Sequence, residues 1–277
     1  MNKINIRGVD HYYEWIRQPG DTGLKPVMVF VHGWAGSARY WQSTAQALCD
    51  RYDCLLYDMR GFGRSKLPEI SLNLSYELEE YAEDLRVLLD SLGIDKVYLH
   101  SHSMGASVGA LFMTMYPKKV ERAILTCNGI FEYDERAFNA FHQFGGYVVK
   151  FRYNWFLKVP LADRLFMARF LYRPIKKEER LAFLEDFILA DYEAALGTIY
   201  TSVSKKAVEI MPQKFAEITV PTLLISGEKD QIIPAKMGRM AASLNDKIEY
   251  VEMAKTSHFP MLEDQEMYLK TVREFVN

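Results

Sequence analysis

Short, continuous apolar runs punctuate this chain, and each gives way to a polar residue. Val27–Val31 stops at His32, Cys54–Tyr57 at Asp58, and Val97–Leu99 leads through His100 to Ser103. Ala123–Cys127 stops at Asn128, Thr222–Ser226 precedes Asp230, and Ile248–Met253 precedes His258. Runs this short, β-rich and without polar alternation are strands buried on both faces, as in a parallel sheet. An earlier strand, His11–Arg17, precedes a turn cluster, Gln18–Gly23. Between the runs the spacing becomes helical. In 75–92, Leu78, Tyr81, Leu85, Leu88 and Leu89 share one face, and Gly93 ends the segment. Helical patterns also cover 40–49, 106–116, 235–244 and 261–276. Strand alternating with helix dictates an α/β fold with a mostly parallel central sheet and helices on both faces.

The alternation fails between 129 and 211, which reads as helices rich in aromatic residues. The chain therefore divides into a core of 1–128 and 212–277 and a helical insertion of 129–211. At 277 residues it buries on the order of 75% of its unfolded surface, enough for a large core. The formal net charge of −2 gives no general attraction to nucleic acid or to an anionic membrane surface. Cys49, Cys54 and Cys127 lie in apolar stretches with no paired spacing, as buried thiols of a cytoplasmic protein do. Residues 1–10 carry no apolar leader, and no run approaches the ~18 apolar residues that span a bilayer. The expectation is a cytoplasmic monomer or homodimer.

In open α/β sheets, sites form beyond the carboxyl ends of the strands. His32, Asp58, Ser103, Asp230 and His258 all follow predicted strands and would meet at one edge. Ser103 lies in Ser101-His102-Ser103-Met104-Gly105, between a strand and a helix, flanked at two residues on either side by small side chains. A tight strand–turn–helix of this kind lifts a serine hydroxyl above the sheet. Taken alone, Ser103 also reads as a helix N-cap. A serine hydroxyl is a poor nucleophile at neutral pH, and needs a base whose tautomer a third group fixes. His258 and Asp230 are the candidates. Glu228 rivals Asp230, which also suits a turn before Pro234, and Asn128 cannot serve as an acid.

The order Ser…Asp…His, the elbow at Ser103, the His32-Gly33 loop and Asp58-Met59-Arg60-Gly61-Phe62-Gly63-Arg64-Ser65 together resemble the α/β-hydrolase superfamily. The resemblance covers nearly the whole chain, and the 129–211 insertion stands where that family carries its cap. It implies Ser103 as nucleophile, His258 as base and Asp230 as the acid that orients it. The backbone amides of Trp34 and Met104 would form the oxyanion hole. His32 would shape that loop rather than transfer a proton, and Asp58, Arg60, Gly61 and Gly63 would form a supporting turn. An apolar substrate pocket would draw on Trp34, His32, Phe131, Phe138, Phe141 and Trp155. His100 and His102, two apart on a strand, read as buried histidines rather than metal ligands, and no metal or cofactor is expected. The implied reaction is cleavage of a small carboxylic ester with an apolar moiety. The same groups serve C–C hydrolases, cofactor-free perhydrolases and small-molecule receptors on this scaffold.

Overall fold

The computed structural model describes residues 2–20, 22–70 and 72–277. Met1 and Asp21, which fall in the expected leader-free N-terminus and the 18–23 turn, lie outside the described residues, as does Ser71. Eight strands form one sheet: β1 (Asn2–Ile6), β2 (Val9–Ile16), β3 (Val27–Val31), β4 (Asp53–Tyr57), β5 (Val97–His102), β6 (Val120–Thr126), β7 (Thr222–Gly227) and β8 (Ile248–Met253). Their order is β1-β2-β4-β3-β5-β6-β7-β8. β1–β2 and β2–β4 are antiparallel, and every other pair is parallel. All residues of β4 and β7 are buried, the polar Asp53, Thr222 and Ser226 at their ends included.

The helices are α1 (Gln42–Leu48), α2 (Leu78–Ser91), α3 (Met104–Met115), α4 (Glu135–Lys150), α5 (Ala162–Met167), α6 (Lys177–Leu189), α7 (Tyr192–Ser202), α8 (Lys205–Glu217), α9 (Ala235–Ala242), α10 (Pro260–Glu263) and α11 (Gln265–Val276). Alternate strand residues serve opposite layers, as the pleat demands. Val29, Val31, Leu55 and Leu99 pack with Leu85 and Leu88 of α2 and Phe112 of α3. Met28, Phe30, Cys54 and Leu56 pack with Leu48 of α1 and Val272 of α11.

The sheet differs from the sequence expectation at its edge and in its length. β1 has only Ile6 buried, so it carries no apolar run to announce it. The hairpin to β2 turns through Arg7 and Gly8, both at positive φ. β5 continues past Leu99 through His100, Ser101 and His102, which pair with Ile124, Leu125 and Thr126 of β6. Five helices, α4–α8, stand between β6 and β7. The boundary expected at 211 falls inside α8, whose Met211 and Phe215 join the core cluster shared with α3.

Candidate active site

The elbow at Ser103 is a junction of β5 and α3 with no room to spare. Ser103 has φ 54° and ψ −125°, a backbone state that non-glycine residues rarely occupy. Its N–H donates to Thr126 O at 2.9 Å, and Asn128 Nδ2 donates to Ser103 O at 3.0 Å. Asn128, which cannot serve as an acid, thus braces the turn. Gly105 follows from close approach, since a Cβ there would lie 2.2 Å from the His32 carbonyl oxygen. Ser101 fits because the helix opposite carries Gly109, whose Cβ would stand 2.8 Å from Ser101 Oγ. The Ser101 hydroxyl donates to Ile124 O at 3.3 Å.

Three of the five polar residues at strand ends come together as a hydrogen-bonded chain. His258 Nε2 stands 3.0 Å from Ser103 Oγ, and His258 Nδ1 stands 2.7 Å from Asp230 Oδ2. A carboxylate only accepts, so Nδ1 carries the proton and Nε2 offers its lone pair to the serine hydroxyl. The other Asp230 oxygen accepts from Ile232 N at 2.7 Å and Ile233 N at 3.0 Å, which fixes the carboxylate plane. Burial pushes the Asp230 carboxyl up. The neighbouring His258 and the two amides outweigh it and hold the group below its ordinary value, ionised at neutral pH. Ser103 is half-buried, and His258 is 3% exposed. Glu228 instead pairs with Lys229 and accepts from Lys255 N, away from this chain of bonds.

His32 and Asp58 support rather than join it. His32 is fully buried, with Nδ1 2.8 Å from Gly33 O and Nε2 accepting from Met59 N at 2.8 Å. No ring atom is left for a substrate, which differs from its expected place in the pocket. Asp58 accepts from Ala38 N, Arg64 N and the Arg64 guanidinium. Burial raises the Asp58 carboxyl, but Arg64 overrides that and holds it low. Among the described residues, the amides of Trp34 and Met104 donate to no protein acceptor. A Cβ on Gly33, beside Trp34, would come within 3.1 Å of Ser103 Cβ, so the Gly33–Trp34 loop lies against the elbow.

A second chain of bonds, which the sequence reading missed, runs behind the first. The Gly33 N–H donates to Tyr40 Oη, Tyr40 Oη stands 3.0 Å from His102 Nδ1, and His102 Nε2 stands 2.7 Å from His258 O. The carbonyl accepts only, so His102 is protonated at Nε2 and accepts a hydrogen bond from the Tyr40 hydroxyl at Nδ1. Burial holds the His102 ring well below its ordinary pKa and therefore neutral. His100 is likewise buried, bonded through Nε2 to Tyr268 Oη at 2.6 Å and lowered to about 3. His102, Cys127 and His258 bring donor atoms within 4.8 Å of one another. Both nitrogens of both rings are already hydrogen-bonded, and burial keeps the Cys127 thiol protonated. Cys127 Sγ in turn donates to Ser257 O at 3.7 Å.

The aromatic residues of the insertion divide differently from the expectation. Phe131 is half-buried, and Phe138 is buried against Tyr133. Phe141 and Trp155 are 43% and 57% exposed, and Trp155 stacks on Phe156 at 4.3 Å. The rings near the centre are Phe170, 6.0 Å from the His258 ring, and Phe187, 5.9 Å from Trp34. Helical spacing marks a face as apolar but not which neighbour it meets. His142 bonds to Val203 O at 2.5 Å.

A family profile described as alpha/beta hydrolase fold matches residues 26–265. The chain belongs to the α/β hydrolase fold family. Among its relatives is an uncharacterized hydrolase of Bacillus subtilis, YugF, 24% identical over 289 residues and covering 100% of this chain and 97% of its own. The enol-lactonase from Burkholderia xenovorans is a structural neighbour with TM-score 0.77 and 20% identity, covering 99% of each chain. A thermophilic esterase from Thermogutta terrifontis superposes with TM-score 0.75 at 20% identity, covering 100% of this chain and 98% of that one. These likenesses are to the α/β hydrolase fold.

Proposed function

We propose that this protein is a serine hydrolase cleaving a small carboxylic ester with an apolar acyl or alcohol moiety, and that residues 129–211 form its cap. The observation that carries the reading is the bond sequence Ser103 Oγ–His258–Asp230, with its protons fixed by the acceptor-only carboxylate. In the proposed mechanism His258 Nε2 takes the Ser103 proton as Oγ attacks the ester carbonyl. The Trp34 and Met104 amides receive the developing oxyanion, each such donor being worth about 2.7–4 kcal/mol of barrier in other enzymes. The tetrahedral intermediate collapses, the C–O bond breaks, and His258 gives its proton to the leaving alkoxide. Water then attacks the acyl-enzyme, losing its proton to His258, and His258 returns that proton to Ser103 Oγ as the C–Oγ bond breaks and the acid departs.

Asp230 holds the Nδ1–H tautomer and stabilises the imidazolium formed at each step. The apolar moiety would lie against Phe170, Phe187 and the Trp34 ring. Two neighbours in fold, named as an enol-lactonase and an esterase, belong to this reaction class. The test is labelling by an active-site-directed fluorophosphonate together with turnover of p-nitrophenyl esters of graded chain length. The wild type should label and turn over. Ser103→Ala should do neither, with kcat lowered on the order of 10⁴–10⁶-fold. Equal labelling of the two proteins overturns the mechanism. Negligible turnover of every ester, with efficient cleavage of a ring-cleavage diketone or with ligand binding alone, overturns the ester assignment.

A further inference from the structure

The outer side of residues 147–165 is the most apolar exposed surface of the insertion. Tyr147, Phe151, Tyr153, Trp155, Leu161 and Leu165 are 53%, 50%, 47%, 57%, 62% and 82% exposed. The rings form one continuous ladder: Tyr147–Phe151 at 6.3 Å, Phe151–Tyr153 at 6.2 Å, Tyr153–Trp155 at 6.5 Å and Trp155–Phe156 at 4.3 Å. Exposed patches this contiguous mark interaction sites. The segment is not loosely attached, because its inner side packs through Leu157, Ala162 and Phe166 onto Trp34, Ala35 and Phe187. The segment that carries the ladder therefore packs against the loop that bears the Trp34 amide.

Charge selects the partner. Lys150, Lys158, Arg164 and Arg169 are exposed, and none forms an ion pair among the described residues. The one acid between 141 and 169 is Asp163, which is buried and paired with Arg180 at 2.8 Å. Every exposed charge within 141–169 is thus positive, in a chain whose formal net charge is −2. Tyrosine and tryptophan rings prefer the headgroup level of a bilayer, and flanking lysine and arginine favour anionic lipid. A second copy meeting this face symmetrically would set cation against cation. A single-stranded nucleic acid would use the rings and the cations but leave Val159, Leu161 and Leu165 in water.

We infer that the 147–165 face docks on the surface of an anionic phospholipid bilayer, with its aromatic ladder at the headgroup level and Leu161 and Leu165 reaching the acyl chains. The overall charge balance hides this face, since acidic residues elsewhere cancel it. Docking here sets the loop that bears Trp34 close to the lipid surface. The inference stands apart from the Ser103 chemistry and is tested without it.

The experiment is co-sedimentation of the whole protein with vesicles of pure phosphatidylcholine, and with vesicles of 30% phosphatidylglycerol in phosphatidylcholine. Two variants are compared with the wild type, Phe151→Ser/Leu165→Ser and Lys150→Glu/Lys158→Glu, each first shown to keep the wild-type thermal midpoint. The wild type should partition at least tenfold more strongly onto the anionic vesicles, with the difference shrinking in 0.5 M NaCl. Each variant should lose at least tenfold of that partitioning. No preference for anionic vesicles, or equal partitioning by both variants and the wild type, overturns the proposal. So does a wild-type dimer that Phe151→Ser/Leu165→Ser converts to monomer, or tighter binding to a single-stranded oligonucleotide than to anionic vesicles.

Discussion

Ser103 keeps a backbone conformation that it would leave unless its neighbours held it, at a cost of order 1–3 kcal/mol. Thr126 O and the Asn128 amide hold it from one side, and the loop at Gly33 closes the other. Tyr40 is the residue through which that loop and His258 are joined, by way of His102. Tyr40→Phe removes one hydroxyl and leaves the Gly33 N–H and His102 Nδ1 buried without partners, a loss of about 1–3 kcal/mol for each group. The expected result is a kcat on a short soluble ester lowered on the order of tenfold, with KM within about twofold, because the change acts on positioning rather than on substrate contact. Steady-state kinetics decide it: an unchanged kcat would show that the second chain of bonds does not position the first. The order of Ser103, Asp230 and His258, each just after an apolar run, was legible in the sequence. Tyr40 and His102 were not, because beyond each other they bond only a backbone amide and a backbone carbonyl, which have no residue identity to read.

At the scale of elements, the loop carrying His258 is tied down by one carboxylate at the end of α10. Glu263 Oε1 accepts from Ser257 N at 2.8 Å and Phe259 N at 3.3 Å, the amides on either side of His258. Its Oε2 accepts from Tyr172 N at 2.7 Å and Arg173 N at 2.8 Å, so the same side chain fastens the strap between α5 and α6. The strap returns the connection directly, since His258 N donates to Phe170 O at 2.9 Å. Glu263→Gln keeps the volume but points an NH₂ group at two donors. It should lower unfolding stability by about 1.5–3 kcal/mol in urea titration and reduce kcat at the same time. A variant with normal stability and kcat would show that the clamp does not hold the base. The buried strands could be read from the sequence because burial on both faces leaves a continuous apolar run. β1 could not, being an edge strand with one buried residue. That one helix, α8, runs across 211 and packs on α3 was also hidden, since its helical pattern does not change there.

For the whole molecule, four neutral histidines shape the response to acid. Burial lowers His11, His32, His100 and His102 below the ordinary imidazole value. The unfolded chain protonates near pH 6.5, where the folded rings do not, so stability is complete above that pH and falls as pH drops toward the folded values. His100, lowered to about 3, alone costs about 2 kcal/mol at pH 5 by this linkage. Urea unfolding should therefore show a midpoint that declines between pH 7 and pH 5, before most carboxylates titrate. A flat midpoint over that range would mean the rings are not held neutral.

The placement of His258 after the last strand also has a consequence in time. His258 follows Ser103 by 155 residues, and β8 joins the sheet only through β7, which itself pairs with β6 across the whole insertion. A chain made from its amino end has its elbow long before it has a proton acceptor. Under the mechanism proposed above, it stays chemically silent during its own synthesis until β8 has joined the sheet beside β7.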